Sequence, residues 1–326
     1  MRRIRVTSRR VAFSEGEEKI LCSKRKKAWD DEGVASTVGT IMALLVFLTF
    51  LGMFSNQYVP VWMKENEYNH MNDVVRQFSL LKMGITTLIE NSEEGETASG
   101  PMYTPIQLHA EGIPIFATST AGRLSLTGES SGYPWYYVTF PYGSGDEFND
   151  TNGAKVGGSL EFYGPNRYFV QQTLAFENGA IILNQTEGET VLQGAGMTFK
   201  VEEFGGELRV KMTQISMKSM NKTVGGFGTK GISTTLDYAS YAKFTNTNGG
   251  DLTISIGSKY GSAWSSYFTT LLSSYPFLTT SDWSVSSSPT VIGSETFYDI
   301  TVTIEDVNLL EHTRALVSVS IADISI

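Results

Sequence analysis

Hydrophobic and polar positions change period twice along the chain. Residues 33–63 form a run of 31 positions without Asp, Glu, Lys or Arg. Its centre, residues 34–54, reads VASTVGTIMALLVFLTFLGMF, which exceeds the ~20 apolar residues a helix needs to cross a hydrocarbon core. Over residues 64–90 the pattern turns amphipathic: Tyr68, Met71, Val75, Phe78, Leu81, Ile85 and Leu88 recur at spacings of three and four, one face of a helix. Pro60 stands between the two patterns and predicts a kink or short break around residues 57–60, because proline removes one helical hydrogen bond and crowds the preceding turn. The acidic stretch 91–100, with Gly and Ser, reads as a linker.

Beyond Pro101 the period shortens to that of strands. Segments rich in Val, Ile, Thr, Tyr and Phe are expected at 105–108, 113–116, 123–126, 135–140, 159–163, 168–176, 180–184, 198–201, 207–215, 231–238, 242–246, 252–257, 282–286, 295–304 and 314–324. Turn signals bound them, among them Glu177-Asn178-Gly179, Phe204-Gly205-Gly206-Glu207 and Asn248-Gly249-Gly250-Asp251. One helical interruption is expected over 261–274, where Trp264, Tyr267, Phe268, Leu271 and Leu272 keep helical spacing. The fold class expected is therefore mainly β: an N-terminal transmembrane or extended α-helix followed by an all-β ectodomain, sandwich or jelly-roll-like, rather than βαβ units. The divisions are a basic leader at 1–33, a transmembrane helix at 34–56, an amphipathic helical stalk and linker at 57–95, and a β-rich domain at 96–326.

Charge sets the orientation. Ten of the 25 Lys and Arg residues lie in positions 1–33, whereas only Lys64, Arg76 and Lys82 fall within twenty residues after Met63; cations collect on the cytoplasmic side of a span, so the N-terminus is expected inside. Removing those ten cations of 25 and the leader's six acids of 34 leaves a remainder with a net charge near −13. Such an acidic surface argues against nucleic acid or anionic lipid as partners. The single cysteine, Cys22, lies in the leader, so the exported part has neither disulfide nor thiol chemistry. A cleaved secretory signal would have an apolar core of about 7 to 15 residues and a small-residue exit site, whereas this run leaves through Phe54-Ser55-Asn56-Gln57-Tyr58. Three sequons, at Asn149, Asn184 and Asn221, are candidate glycan acceptors on an exported domain. Ala35, Gly39 and Ala43 place three small residues on one face of the apolar helix, a spacing that lets another helix approach closely.

Taken together, a basic leader, Asp31-Glu32-Gly33-Val34-Ala35-Ser36-Thr37-Val38-Gly39 opening an apolar helix, an amphipathic continuation and a β-rich body resemble the type IV pilin-like surface proteins of archaea. Strings in the body are similar to an uncharacterised archaeal family of membrane-anchored proteins with such an N-terminus: Leu108-His-Ala-Glu-Gly112-Ile-Pro114-Ile-Phe116, Ala121-Gly122-Arg-Leu-Ser-Leu126, Asn166-Arg-Tyr168-Phe-Val-Gln-Gln172-Thr and Glu177-Asn-Gly179-Ala-Ile-Ile-Leu183. The resemblance implies a prepilin-type peptidase as a partner, cutting between Gly33 and Val34, and self-assembly or assembly with other pilin-like subunits. Asp31 and Glu32 stand where archaeal sites carry basic residues, and Val38 stands where bacterial pilins have an acid, so an uncut anchor is the alternative.

Catalytic patterns are thin. Gly128-Glu-Ser130-Ser-Gly132 matches G-x-S-x-G, but Tyr133-Pro134-Trp135 comes next instead of a helix. Gly226-Phe-Gly228-Thr-Lys-Gly231 matches G-x-G-x-x-G with no βαβ unit around it and reads as a glycine-rich hairpin loop. His70, His109 and His312 are far apart in sequence, so no metal site is assigned. The acid-rich stretch 146–153 lacks EF-hand spacing and reads as a solvated loop. The function expected is that of a non-catalytic cell-surface protein without cofactors, pilin-like and anchored or assembled through its N-terminal helix. The alternatives are a non-polymerising anchored ectodomain that binds envelope glycans or proteins and, less favoured, an anchored hydrolase.

Overall fold

A computed structural model describes residues 16–92, 100–143, 146–149, 156–194 and 199–323, with side chains from Ala35 onward save those of Asn149 and Asp323. Two compact units divide the chain, Met1–Pro60 and Val61–Ile326. Helix α1 (Gly16–Glu90) contains Pro60 without a break in its helical assignment. A short break there is therefore absent: a proline deletes only one main-chain donor, and the turns on either side keep their own bonds.

In the first unit, α1 is bare of protein where it is most apolar. Ten of the eleven large apolar side chains from Val38 to Met53 are between 51% and 67% exposed, Leu51 being the half-buried one. Two threonines among them satisfy their hydroxyls on the helix itself, Thr40 Oγ1 donating to Thr37 O at 2.9 Å and Thr49 Oγ1 to Val46 O at 2.8 Å, so neither demands water. Phe50, Phe54 and Tyr58 stack in a ladder one turn apart.

The second unit holds the rest of α1 and a β body, so the protein is mainly β behind an N-terminal helix. The strands are β1 (Met102–Gln107), β2 (His109–Ala110), β3 (Thr120–Thr127), β4 (Trp135–Tyr142), β5 (Asp146–Asn149), β6 (Val156–Gly157), β7 (Ser159–Gly164), β8 (Gln172–Glu177), β9 (Ala180–Gln185), β10 (Gly188–Gln193), β11 (Phe199–Phe204), β12 (Glu207–Lys218), β13 (Lys222–Gly226), β14 (Thr229–Ser258), β15 (Trp283–Ile292) and β16 (Glu295–Asp323), with α2 (Gly261–Ser273) ahead of β15. Nine strands form one sheet, ordered β11-β12-β16-β14-β4-β5 with β1 beside β14, β15 beside β16 and β6 beside β4. Seven form the other, ordered β10-β9-β8-β7-β3-β13 with β2 beside β3. Among the described residues, pairing is antiparallel except between β12 and β16, which run parallel from Leu208–Val307 to Lys218–Ser318.

Two apolar clusters hold the unit together. In the first, Met71, Val74, Phe78, Leu81, Ile85 and Leu88 of α1 meet Leu124, Phe162 and Phe176 of the seven-stranded sheet and Ile215, Leu236 and Val317 of the nine-stranded sheet, so both sheets close on the helix. The spacing of three and four is the expected one; Val74 adds to the stripe as a fully buried member, Val75 packs against it half-buried, and Tyr68 is 49% exposed. The second cluster gathers Trp264, Phe268 and Leu272 of α2 with Phe199, Ile256, Ile300, Val302 and Ile304 of the nine-stranded sheet. Strands β8 and β9 serve both: Leu174, Phe176 and Ile181 belong to the first cluster, Ala175 and Ile182 to the second. Burial on both faces explains why these strands read as unbroken apolar runs rather than alternating ones.

The expected strand at 113–116 is a turn, in which Phe116 N donates to Ile113 O at 3.1 Å and Ile113 bridges Ala117. Pro114 has no N–H for a ladder and fixes φ for the turn. The three strands expected over 231–257 are one, β14, whose register against β16 shifts between Thr245 and Gly250.

Candidate functional site

On the bare part of α1, Ala35, Gly39 and Ala43 lie on one face at exposed positions, and a Cβ added to Gly39 would meet nothing within 4 Å. The backbone at Gly33 and Val34 is helical, and the surroundings of these two residues lie outside the described side chains.

Where the chain enters the β body, Glu67 is fully buried. Its Oε1 accepts from Thr120 Oγ1 at 2.8 Å and Arg167 N at 3.0 Å, and its Oε2 from Tyr168 N at 2.8 Å and Phe169 N at 2.7 Å. One carboxylate thus ties α1 to β3 and to the loop joining β7 to β8. Strand structure expected from residue 168 begins only at Gln172, because the N–H groups of the preceding loop are directed to Glu67 instead of to a neighbouring strand. The signal in the sequence is Glu67 itself, a lone acid on the helix face that carries Met63 and Met71.

A second buried acid, Glu177, closes the β8–β9 hairpin. Its Oε2 accepts from Ser258 Oγ at 2.7 Å and Trp264 Nε1 at 3.2 Å, and burial pushes its carboxyl up from 4.5 to about 7, with the charge of Glu161 adding to the rise. The next residues, Asn178 at φ 42° and Gly179 at φ 80°, make the turn, and Asn178 Oδ1 accepts from Ile215 N at 2.7 Å. Burial likewise raises the phenols of Tyr136 and Tyr260, and Tyr260 donates to Glu161 at 3.1 Å. The gap lined by Tyr136, Glu177 and Asn178 has no volume for a water molecule.

Open space lies elsewhere. A groove of about 590 Å³ borders the C-terminal end of α1, floored by the cross-strand rows Lys211–Glu311–Lys243 and Thr213–Thr313–Tyr241 and walled by Ile89 and Ser92. Lys243 Nζ bridges Glu311 at 2.6 Å. Between these rows His312 is buried, donates Nε2–H to Gln214 Oε1 at 2.6 Å and is pushed by desolvation down to about 4. A smaller pocket of about 190 Å³ brings His70 and His109 together beside Asp73 and Glu111. These two histidines, far apart in sequence, are joined by the pairing of β2 with β3 and the docking of β1 on α1, where His70 Nε2 meets Gln107 O at 2.9 Å. Among the described residues no group of three His, Cys, Asp or Glu is placed to hold a metal ion.

The serine motif forms a 3-10 turn, Glu129–Ser131, between β3 and β4, and no helix comes after it. Ser131 Oγ and Gly128 N donate to Asn221 Oδ1 at 2.7 and 2.9 Å. The sequon residue Asn221 is therefore exposed and also a brace for this turn, a role its sequon did not announce. Asn184 sits within β9, half-buried. Asn149 ends β5, and its side chain with Asp150 and Thr151 lies outside the described residues. The glycine-rich string 226–231 is not a hairpin: it carries the chain from β13 in the seven-stranded sheet to β14 in the nine-stranded sheet. Among the described residues, one helix near the N-terminus is long and apolar enough to span a membrane. Comparison with family models, curated proteins and solved structures finds no match.

Proposed function

We propose that this chain is a non-catalytic surface protein, held in a membrane by residues 34–56 with its N-terminus inside, and that it acts as a pilin-like subunit of a minor or specialised kind. The observation that carries the reading is the contrast along α1: ten of the eleven large apolar side chains from Val38 to Met53 stay more than half exposed, whereas Met71, Val74, Phe78, Leu81, Ile85, Leu88 and Ile89 are buried by the β body. An apolar helix surface without protein to cover it calls for lipid or for like helices, and both belong to a pilin-like life. The groove at the end of α1, with its lysines and threonines, favours the second reading, a permanently anchored ectodomain that binds polar envelope components.

Terminal sequencing and intact mass of the protein from native membranes separate the two. A chain beginning at Val34 is the expected result for a pilin-like subunit and requires a peptidase acting at Gly33; a chain retaining Arg2 leaves the anchored reading. If the small-residue face packs helices together, Gly39→Leu lowers self-association in detergent or bicelles by about ten-fold, equivalent to about 1.4 kcal/mol. Energy transfer between labelled chains measures it, and an unchanged association would remove the face from the assembly.

A further inference from the structure

The β body presents large apolar side chains at the end where α1 enters it. Strand β1 runs antiparallel to α1: Met102 lies against Gly84, Gln107 N donates to Gln77 Oε1 at 3.0 Å, and Glu111 O accepts from Asn66 Nδ2 at 3.2 Å. The chain then turns and returns at Thr120, bonded to Glu67. The turn between them, residues 112–119, therefore lies beyond the level of Asn66, toward Val61.

At its tip Ile115 is 101% exposed and holds φ at 74°. That is the third position of a turn opened by Pro114, where glycine fits and a β-branched residue is strained. Neighbouring loops add to the patch. Tyr168 and Val170, in the loop fixed by Glu67, are 41% and 42% exposed. Farther from Val61, Phe227 is 66% exposed, its ring against His109. Lys64 and Arg167 flank the patch with exposed cations, and Glu65 and Glu111 with exposed acids.

We propose that this end of the β body seats in the headgroup and acyl boundary of a lipid bilayer, with Ile115 and Tyr168 as its inserted side chains. The proposal rests on the single-span reading. The occupant follows from the covalent leash: Asn66 is two positions after Lys64, the first charge beyond the apolar run, or about 3 Å of helix rise. The polar layer on each side of a hydrocarbon core is only about 5–7 Å thick. On the single-span reading so short a connection leaves lipid headgroups as the surface nearest to these loop tips, and aromatic and aliphatic side chains beside cations suit that layer.

The test uses the full chain in phosphatidylcholine vesicles, in a Cys22→Ser background, with an environment-sensitive fluorophore on single cysteines and quenching by shallow lipid nitroxides. Ile115→Cys and Tyr168→Cys are the test positions. Phe47→Cys reports the span, and Val291→Cys, 71% exposed in the β15–β16 hairpin, reports the aqueous phase. Expected is quenching at positions 115 and 168 about three-fold or more above that at 291. Strong quenching at 47 with 115 and 168 no different from 291 overturns the seating and leaves the anchor. Absence of quenching at 47 overturns the anchor and the seating with it. Protection of 115 from aqueous iodide without lipid quenching overturns lipid as the occupant in favour of a protein contact.

Discussion

Glu67→Ala is expected to lower the stability of the Val61–Ile326 unit by about 3–5 kcal/mol, the range for removing one side of a buried charged contact. Four donors converge on this carboxylate, and three are main-chain N–H groups of consecutive residues, Arg167, Tyr168 and Phe169. Alanine takes the acceptor from all of them, and each orphaned buried donor costs about 1–3 kcal/mol. Glu67→Gln keeps one oxygen but turns an amide N–H₂ toward donors, so an intermediate loss is expected. Thr120→Val removes a single donor and should cost about 1 kcal/mol. Denaturant unfolding of the full chain in detergent measures all three variants. Hydrogen exchange at the amides of 167–169 adds a local readout, which should accelerate in Glu67→Ala. A loss below about 1 kcal/mol with unchanged exchange would mean that other contacts hold the loop and the carboxylate merely accompanies it.

The second large effect is on the dependence of stability on pH, where two buried groups oppose each other. Glu177 titrates at about 7 in the fold against 4.5 normally. Between those values the unfolded chain releases its proton while the folded chain keeps it, so stability falls as pH rises, by about 1.4 kcal/mol per pH unit and about 3 kcal/mol in all. His312 titrates at about 4 against 6.5. Between those values the unfolded chain takes up a proton that the fold refuses, so stability falls as pH drops, again by about 3 kcal/mol. Over the range from 4.5 to 6.5 shared by both groups the slopes cancel, and the wild-type profile should be flat with respect to this pair. Glu177→Gln, in which an amide oxygen can accept from Ser258 and Trp264, unmasks the histidine: its stability should climb from about pH 4 to 6.5 and exceed wild type by about 3 kcal/mol at about pH 8. His312→Gln should give the reverse slope, declining from about pH 4.5 to 7. Burial also lowers His70, which adds to the acid-side loss in both variants. Parallel profiles for wild type and Glu177→Gln would show that the carboxyl ionises in the fold as readily as in water.

Much of the architecture was legible because it obeys local periods. The helix over 64–90, the strands at 123–126, 135–140, 159–163 and 180–184, and the helix at 261–274 appear within a few residues of their expected bounds. Short-range rules failed where a distant group intervened. Residues 168–171 have strand composition, yet the donors of 167–169 go to Glu67, about a hundred positions earlier. Val74 joins the half-buried Val75 on the core side because two sheets, not one, set the width of the buried stripe. The meeting of His70 with His109 and the bracing of Ser131 by Asn221 likewise depend on which strands become neighbours.

The sequence by itself determined the apolar helix, its amphipathic continuation and the β character of the remaining chain, since these rest on side-chain period and on the hydrocarbon thickness a helix must match. Only the tertiary structure decided that β12 and β16 run parallel, that the amphipathic helix is clasped between two sheets, and that Glu67 and Glu177 become buried acids with opposite surroundings. Glu67 is met by main-chain N–H donors, whereas Glu177 is met chiefly by desolvation that disfavours its charge. Which of these environments an acid enters depends on contacts between residues far apart in the chain, and no local pattern encodes them.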